Sequence, residues 1–362
     1  MNKTNLNVFV YFFFIIIGLF YILILETSFY PDYSVIFNKF LNMENNSLRN
    51  SMQFFIFENV KEFFQLKIDK ISLSLFFLVN IFFILVLISI QSLISNDKKN
   101  NSNYFLLLLS FCFPSALISI VTPSSESIHV IVSIFVMFMI MNRKYNLIFL
   151  VILLIYGFFL DIGNSIVFLS FLSLALLMIV IKNFINIKAS ILIASAIIIL
   201  LIYFGREIIL TISLIFDWEV GKAMINNVYI NKLGDIQLIE IFKRYVYFWL
   251  TLTGIMNHFK ELIFLILPII FILLVNIYKE TTENWAKVKD YFSDPLIIII
   301  IFLVIFFPLL IISILPTHAF CKYYLFIIPV LMKFLFIITQ QSKIYYFIPI
   351  TSVLYLINTS FI

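Results

Sequence analysis

Glycine is scarce in this sequence, with 7 residues in 362 against 45 phenylalanines. Membrane helices that approach closely need small residues at the contact, so glycophorin-like packing is excluded as the general theme. Charge is scarce too. Only 12% of residues are Asp, Glu, Lys or Arg and 63% are hydrophobic, and the mean hydropathy is +1.11. Such a composition excludes a soluble domain with a wetted surface. The 2 cysteines and 3 histidines show no metal-ligand spacing, so no metal and no structural disulfide are expected. A Gly-rich phosphate loop, a Walker motif and a dinucleotide fingerprint are all missing. Nucleotide chemistry therefore has no visible machinery, no cofactor is expected, and nucleic acid is not an expected partner.

What the chain does have is apolar runs. Runs long enough to cross about 30 Å of hydrocarbon lie near 7–25, 71–95, 104–121, 128–142, 146–160, 165–181, 189–204, 262–278, 296–314, 323–339 and 345–361. The first is followed by "ETSFYPDY" rather than a small-residue cleavage site, which reads as a retained helix. The expectation is a single all-α polytopic integral membrane domain over 1–362, with about eleven transmembrane helices and a range of about ten to twelve.

Charge tests that count, because each span moves the next loop to the other side. With the N terminus inside, the inside connections are "NDKKNN", "NRKYN", "KNFINIK", "YKETTENWAKVKD" and "QQSK", and each carries Lys or Arg. Outside, "TPSSES" and "LDIGNS" carry none and "PTHAFCKYY" carries only Lys322. Two long outside segments remain, 26–70 and 205–261, and long loops translocate regardless of charge. In the first, Phe54, Phe57, Lys61 and Phe64 recur at helical spacing and suggest an interfacial helix. In the second, "IQLIEIFKRYVYFWLTLTGIM" reads as another, with a twelfth span over 237–257 as the competing reading, one that would break the charge pattern. The hairpin 146–181 has short spans and could instead be re-entrant. Either way its two ends stay inside.

Ionisable groups at membrane depth are costly and usually face a cavity, and here they gather on the outside. The set comprises Asp32, Glu126, Asp161 with Asn164 in "FFLDIGNSIVF", Arg206, Glu207, Lys243, Arg244, His258, His318 and Lys322. Lys333 is the cation inside a run and can snorkel toward the inner end. Bland roles compete with functional ones. Asp32, Glu207, Lys243 and Lys322 would serve as interfacial anchors, and Glu126, after Ser124 and Ser125, suits the start of a helix. Asp161 is harder to dismiss, since a carboxylate between two apolar runs requires a cation or a wet cleft.

Acids with Arg, Lys and His at the outer edge suit transfer of a sugar chain from a polyprenyl pyrophosphate. The lipid tail would lie in the bilayer and the pyrophosphate at headgroup level. Cations would stabilise the departing pyrophosphate, and a carboxylate or His would deprotonate the attacking hydroxyl. Attack opposite the leaving group would invert the anomeric centre.

At this size, with about eleven Phe- and Ile-rich spans and a long outer loop in the second half, the chain resembles the bacterial O-antigen polymerases called Wzy. Its "YPDYSVIFNKF" and "NRKYNLIFLVILLIYGFF" are similar to the related EpsG-like polysaccharide polymerases. The resemblance implies a multi-pass polymerase of undecaprenyl-pyrophosphate-linked oligosaccharide repeat units in the bacterial inner membrane. Its active site would face the periplasm, with membrane lipids and a chain-length regulator as further partners. The match departs from the family at particular places. Some Wzy proteins carry an Arg-x10-Gly pattern, whereas here Lys243, not Arg244, stands at that interval from Gly254. EpsG-like chains tend to place an Arg before the fourth span and a His at the following hairpin, where this chain has "PSSESIHV" and "LDIGNS".

The expected roles follow position. Arg206, Lys243, Arg244 and Lys322 would contact pyrophosphate or glycan, with His258 among the substrate contacts. Asp161 or Glu126 would act as base, with His318 as alternative base or leaving-group donor. Asn164, Asp32 and Tyr33 would position sugars. Rival readings are a flippase for the same lipid-linked glycan, which should show repeats and intramembrane cations, and a GT-C-type glycosyltransferase, for which Asp32 could be the first-loop carboxylate. A membrane acyltransferase is disfavoured because no His sits beside an acid within a span. A scaffold without chemistry would leave the outer cluster unexplained.

Overall fold

The computed structural model describes residues 3–24, 70–94, 104–121, 125–142, 146–215, 238–253, 278, 286, 289–290, 293–314 and 321–339. These form α1 (Lys3–Ile24), α2 (Lys70–Ile94), α3 (Tyr104–Phe111), α4 (Pro114–Val121), α5 (Ser125–Asn142), α6 (Leu147–Leu160), α7 (Ile162–Phe184), α8 (Ile187–Ile215), α9 (Leu238–Thr253), α10 (Pro295–Ile314), a 3-10 helix (Cys321–Ile327) and α11 (Ile328–Thr339). No strand occurs among the described residues. An all-helical chain is what hydrocarbon demands, because each backbone polar group must find its partner within its own segment.

Three stretches are long and apolar enough to cross a membrane unaided, Ser74–Ile94, Asn164–Phe184 and Pro295–Ser313. Shorter apolar helices accompany them at Ser127–Asn142, Leu147–Leu160, Ile187–Leu200 and Tyr323–Phe334. Large apolar side chains stand on the surface, among them Phe82 at 67%, Leu192 at 71% and Leu176 at 63% exposed. Patches of that kind are untenable in water and suit contact with lipid tails. The protein is thus an α-helical polytopic membrane protein. The expected runs 262–278 and 345–361 lie outside the described residues, apart from Tyr278, as does the first long segment except Lys70.

Local chemistry at the helix ends explains several boundaries. Asn146 Oδ1 accepts the backbone N–H groups of Ile148 (2.9 Å) and Phe149 (3.3 Å) at the start of α6. Asn186 Oδ1 does the same for Ala189 at 2.8 Å ahead of α8, and Asp294 Oδ1 for Leu296 at 3.1 Å ahead of α10. Polar residues between the runs are therefore N-caps, satisfying donors that a helix start leaves open. One expected span departs from the simple reading. The run 104–121 is two short helices bent by 75°, because Pro114 opens α4 and cannot continue α3. The second long segment starts helical, since α8 runs on through Arg206 to Ile215. Within it, α9 makes the larger part of "IQLIEIFKRYVYFWLTLTGIM" helical.

Contacts sort the chain into two compact units. The first contains residues 1–168, 252–288 and 324–362. Its centre is α5, in which every residue from Ser127 to Met139 is buried; a helix apolar all round belongs in an interior. Around it pack α3, α4, α6 and α11. Aromatic rings interlock nearby, with Phe14 edge-on to Phe77 at 5.5 Å and Phe168 on Phe326 at 4.8 Å. In lipid these contacts contribute chiefly through van der Waals packing, since leaving water is not the gain. The Phe77 ring fills the space where a side chain on Gly18 would begin. At the far end of α5, Lys333 Nζ donates to the Met141 carbonyl, placing a cation on the negative end of the helix dipole.

The second unit contains residues 169–251 and 289–323. Here α8 packs on α10, Phe171 meets Phe307 edge-on at 5.4 Å, and Ser190 Oγ donates to the Met178 carbonyl at 3.2 Å. Tyr245 from α9 donates its hydroxyl to the Ile305 carbonyl at 2.8 Å. That carbonyl lies one turn before Pro308, whose ring disturbs the ladder of α10 at this point.

Candidate functional site at the junction of the sixth and seventh helices

A single residue separates α6 from α7. Asp161 is extended there, with φ −151 and ψ 100, and its backbone closes one helix while opening the next. Its N–H donates to the Gly157 carbonyl at 3.1 Å, and its own carbonyl accepts from the Ser165 N–H at 3.0 Å. The carboxylate completes the cap: Oδ1 accepts the Asn164 backbone N–H at 3.1 Å, and Oδ2 accepts Asn164 Nδ2 at 2.9 Å. An anion in this place meets open donors and the positive end of a helix dipole. The sequence encodes the turn directly, since Asp161 stands three residues before the amide that returns to it.

Two further side chains close the cluster. Ser165 Oγ donates to the Gly157 carbonyl at 2.9 Å and lies 3.2 Å from His129 Nδ1. The same ring nitrogen is 3.4 Å from the Gly157 carbonyl. A β-carbon on Gly157 would sit 3.5 Å from His129 Nδ1, so the bare glycine lets the imidazole lie over the α6 backbone. His129 comes from the first turns of α5, which packs along α6.

Burial makes this cluster consequential. Asp161 is 0% exposed, Asn164 1%, Ser165 2% and His129 4%. Each such group left unsatisfied would cost about 1–3 kcal/mol, which accounts for the mutual bonding. The Asp161 carboxylate also acts electrostatically on the His129 ring. One acceptor stays open: Asn164 Oδ1 is buried with no hydrogen-bond partner among the described residues.

The expected site residues fall as follows. Asp161 and Asn164 are brought together. Glu126 belongs to the first turn of α5, three residues ahead of His129. Arg206 lies in α8, Lys243 and Arg244 in α9, and Lys322 in the 3-10 helix, all in the second unit. Lys243 is exposed and Arg244 half-buried. Asp32, Tyr33, His258 and His318 lie outside the described residues. Among the described residues no three His, Cys, Asp or Glu side chains gather as metal ligands.

His129 and Ser165 are the residues that sequence reasoning missed. His129 stands 32 positions before Asp161 in the chain, yet it bonds to the Gly157 and Ser165 groups on either side of that residue. Topology carried the available signal, since "SIHV" and "LDIGNS" flank connections assigned to the same side. Comparison with protein-family models, curated proteins and solved structures finds no match to this chain.

Proposed function

We propose that this protein is a membrane glycosyltransferase that polymerises lipid-linked oligosaccharide repeat units, working from undecaprenyl pyrophosphate at the periplasmic face of the bacterial inner membrane. The observation that carries the reading is the buried His129–Asp161–Asn164–Ser165 cluster at a helix junction in an otherwise apolar bundle. Intramembrane ionisable groups that form a network are retained for chemistry more often than for stability. The resemblance to Wzy and EpsG-like polymerases and the charge alternation of about eleven spans, N terminus inside, support the same reading.

In this mechanism the attacking sugar hydroxyl loses its proton to a base at the cluster, and its oxygen displaces pyrophosphate from the anomeric carbon with inversion. The leaving pyrophosphate calls for cations at headgroup level, and Asn164 orients sugar hydroxyls. Asp161 is fully buried with both oxygens bonded to Asn164, which suits a positioning role better than direct proton abstraction. Glu126 and His318 remain alternative bases.

A surface-polysaccharide gel tests the proposal. Deleting the gene should collapse the ladder to core plus a single repeat, and the wild-type gene should restore it. Loss of the single-repeat band as well would assign the protein to building or flipping the unit, as a transferase or flippase.

A further inference from the structure

The geometry points to His129 Nε2 as the proton acceptor at this site, with Ser165 and the Gly157 carbonyl fixing the imidazole for that task. This inference rests on the polymerase reading and deepens it. Matching donors to acceptors fixes the tautomer. Ser165 has a single hydroxyl proton, and its bond to the Gly157 carbonyl at 2.9 Å is shorter than its 3.2 Å approach to His129 Nδ1. With that proton on the carbonyl, Ser165 Oγ faces the ring as an acceptor. The Gly157 carbonyl, 3.4 Å from the same nitrogen, is an acceptor as well. Both neighbours of Nδ1 therefore require a proton on Nδ1.

The opposite arrangement is the poorer on the same distances. A bare Nδ1 accepting from Ser165 would take the hydroxyl from the Gly157 carbonyl, which would keep the Asp161 N–H but face a nitrogen lone pair at 3.4 Å. A neutral ring protonated at Nδ1 carries its lone pair on Nε2. The contacts that Ser165 and Gly157 make with the ring are both at Nδ1 and leave Nε2 to other partners. The cluster thus sets the Nε2 lone pair beside an open acceptor, Asn164 Oδ1, and a pair of acceptors selects a hydroxyl-bearing ligand. Phosphate, which has only oxygens to offer, is the wrong partner.

The step balances without a co-reactant. Nε2 takes the proton of the acceptor sugar hydroxyl, the hydroxyl oxygen bonds to the anomeric carbon, and the carbon–oxygen bond to pyrophosphate breaks with its electron pair leaving on pyrophosphate. The imidazolium so formed pays for its burial, a cost the Asp161 carboxylate offsets in part, and then returns its proton to pyrophosphate or water.

Two measurements decide the matter. In full-length protein in micelles, with histidine alone labelled by nitrogen-15, the resonance missing in His129→Asn identifies His129 and its two-bond couplings report the tautomer. A proton on Nδ1 is expected; a neutral ring protonated on Nε2 overturns the inference. In the deletion strain, His129→Asn keeps an amide donor where Nδ1 stood but has no base at Nε2. Polymer formation should fall about a hundredfold or more, with membrane levels equal to wild type. If His129→Asn polymerises normally while wild type restores the ladder, the role of Nε2 is refuted and the polymerase reading survives. If wild type itself fails to restore the ladder, the polymerase reading falls, and the role of His129 as base falls with it.

Discussion

Asp161 holds two helices with one backbone and one carboxylate, so its substitutions separate structure from charge. Asparagine caps helices as well as aspartate does, and the Asn164 amide can turn over to present its oxygen to the new amide. Asp161→Asn should therefore fold and insert normally while removing the counter-charge for His129. We expect polymer formation to drop about tenfold or more with the thermal midpoint in detergent little changed; a fully active Asp161→Asn would take the carboxylate out of the mechanism. Asp161→Ala should do more, because the Asn164 backbone N–H and side-chain amide both lose their acceptor in a buried place. A stability loss of about 1–3 kcal/mol is expected from those orphaned donors.

Helices in this protein meet through large side chains, with small residues used at chosen points. Gly18 is one of them, since the buried Phe77 ring occupies the position of its absent side chain. Gly18→Ala should push α1 from α2 and cost about 1–3 kcal/mol through overpacking, whereas Gly157→Ala meets His129 and Val132 only at 3.5 Å and should fold. Detergent melts of the two variants compare them directly; an unchanged Gly18→Ala would show that the ring moves aside freely. Other junctions follow from composition. Asn146, Asn186 and Asp294 start the helices that follow them by capping, and Pro114 breaks a run that hydropathy alone presents as continuous.

Across the whole molecule, the proposed orientation makes a direct prediction. With Cys112→Ala and Cys321→Ser as background, Ser124→Cys should react with a membrane-impermeant thiol reagent in spheroplasts, and Lys144→Cys only after permeabilisation. Reversed labelling would invert the topology and move the cluster to the other face. The sequence by itself determined the class of the protein: hydropathy and charge poverty require a helical membrane chain, since hydrocarbon admits no unpaired backbone. It also set Asp161 and Asn164 in one short polar connection between apolar runs. Tertiary structure alone decided the rest. His129 reaches Ser165 and the Gly157 carbonyl only because α5 packs against α6, a long-range pairing that no local period records. The tautomer of His129 depends in turn on one serine hydroxyl and one glycine carbonyl, whose distances exist only once the helices have met.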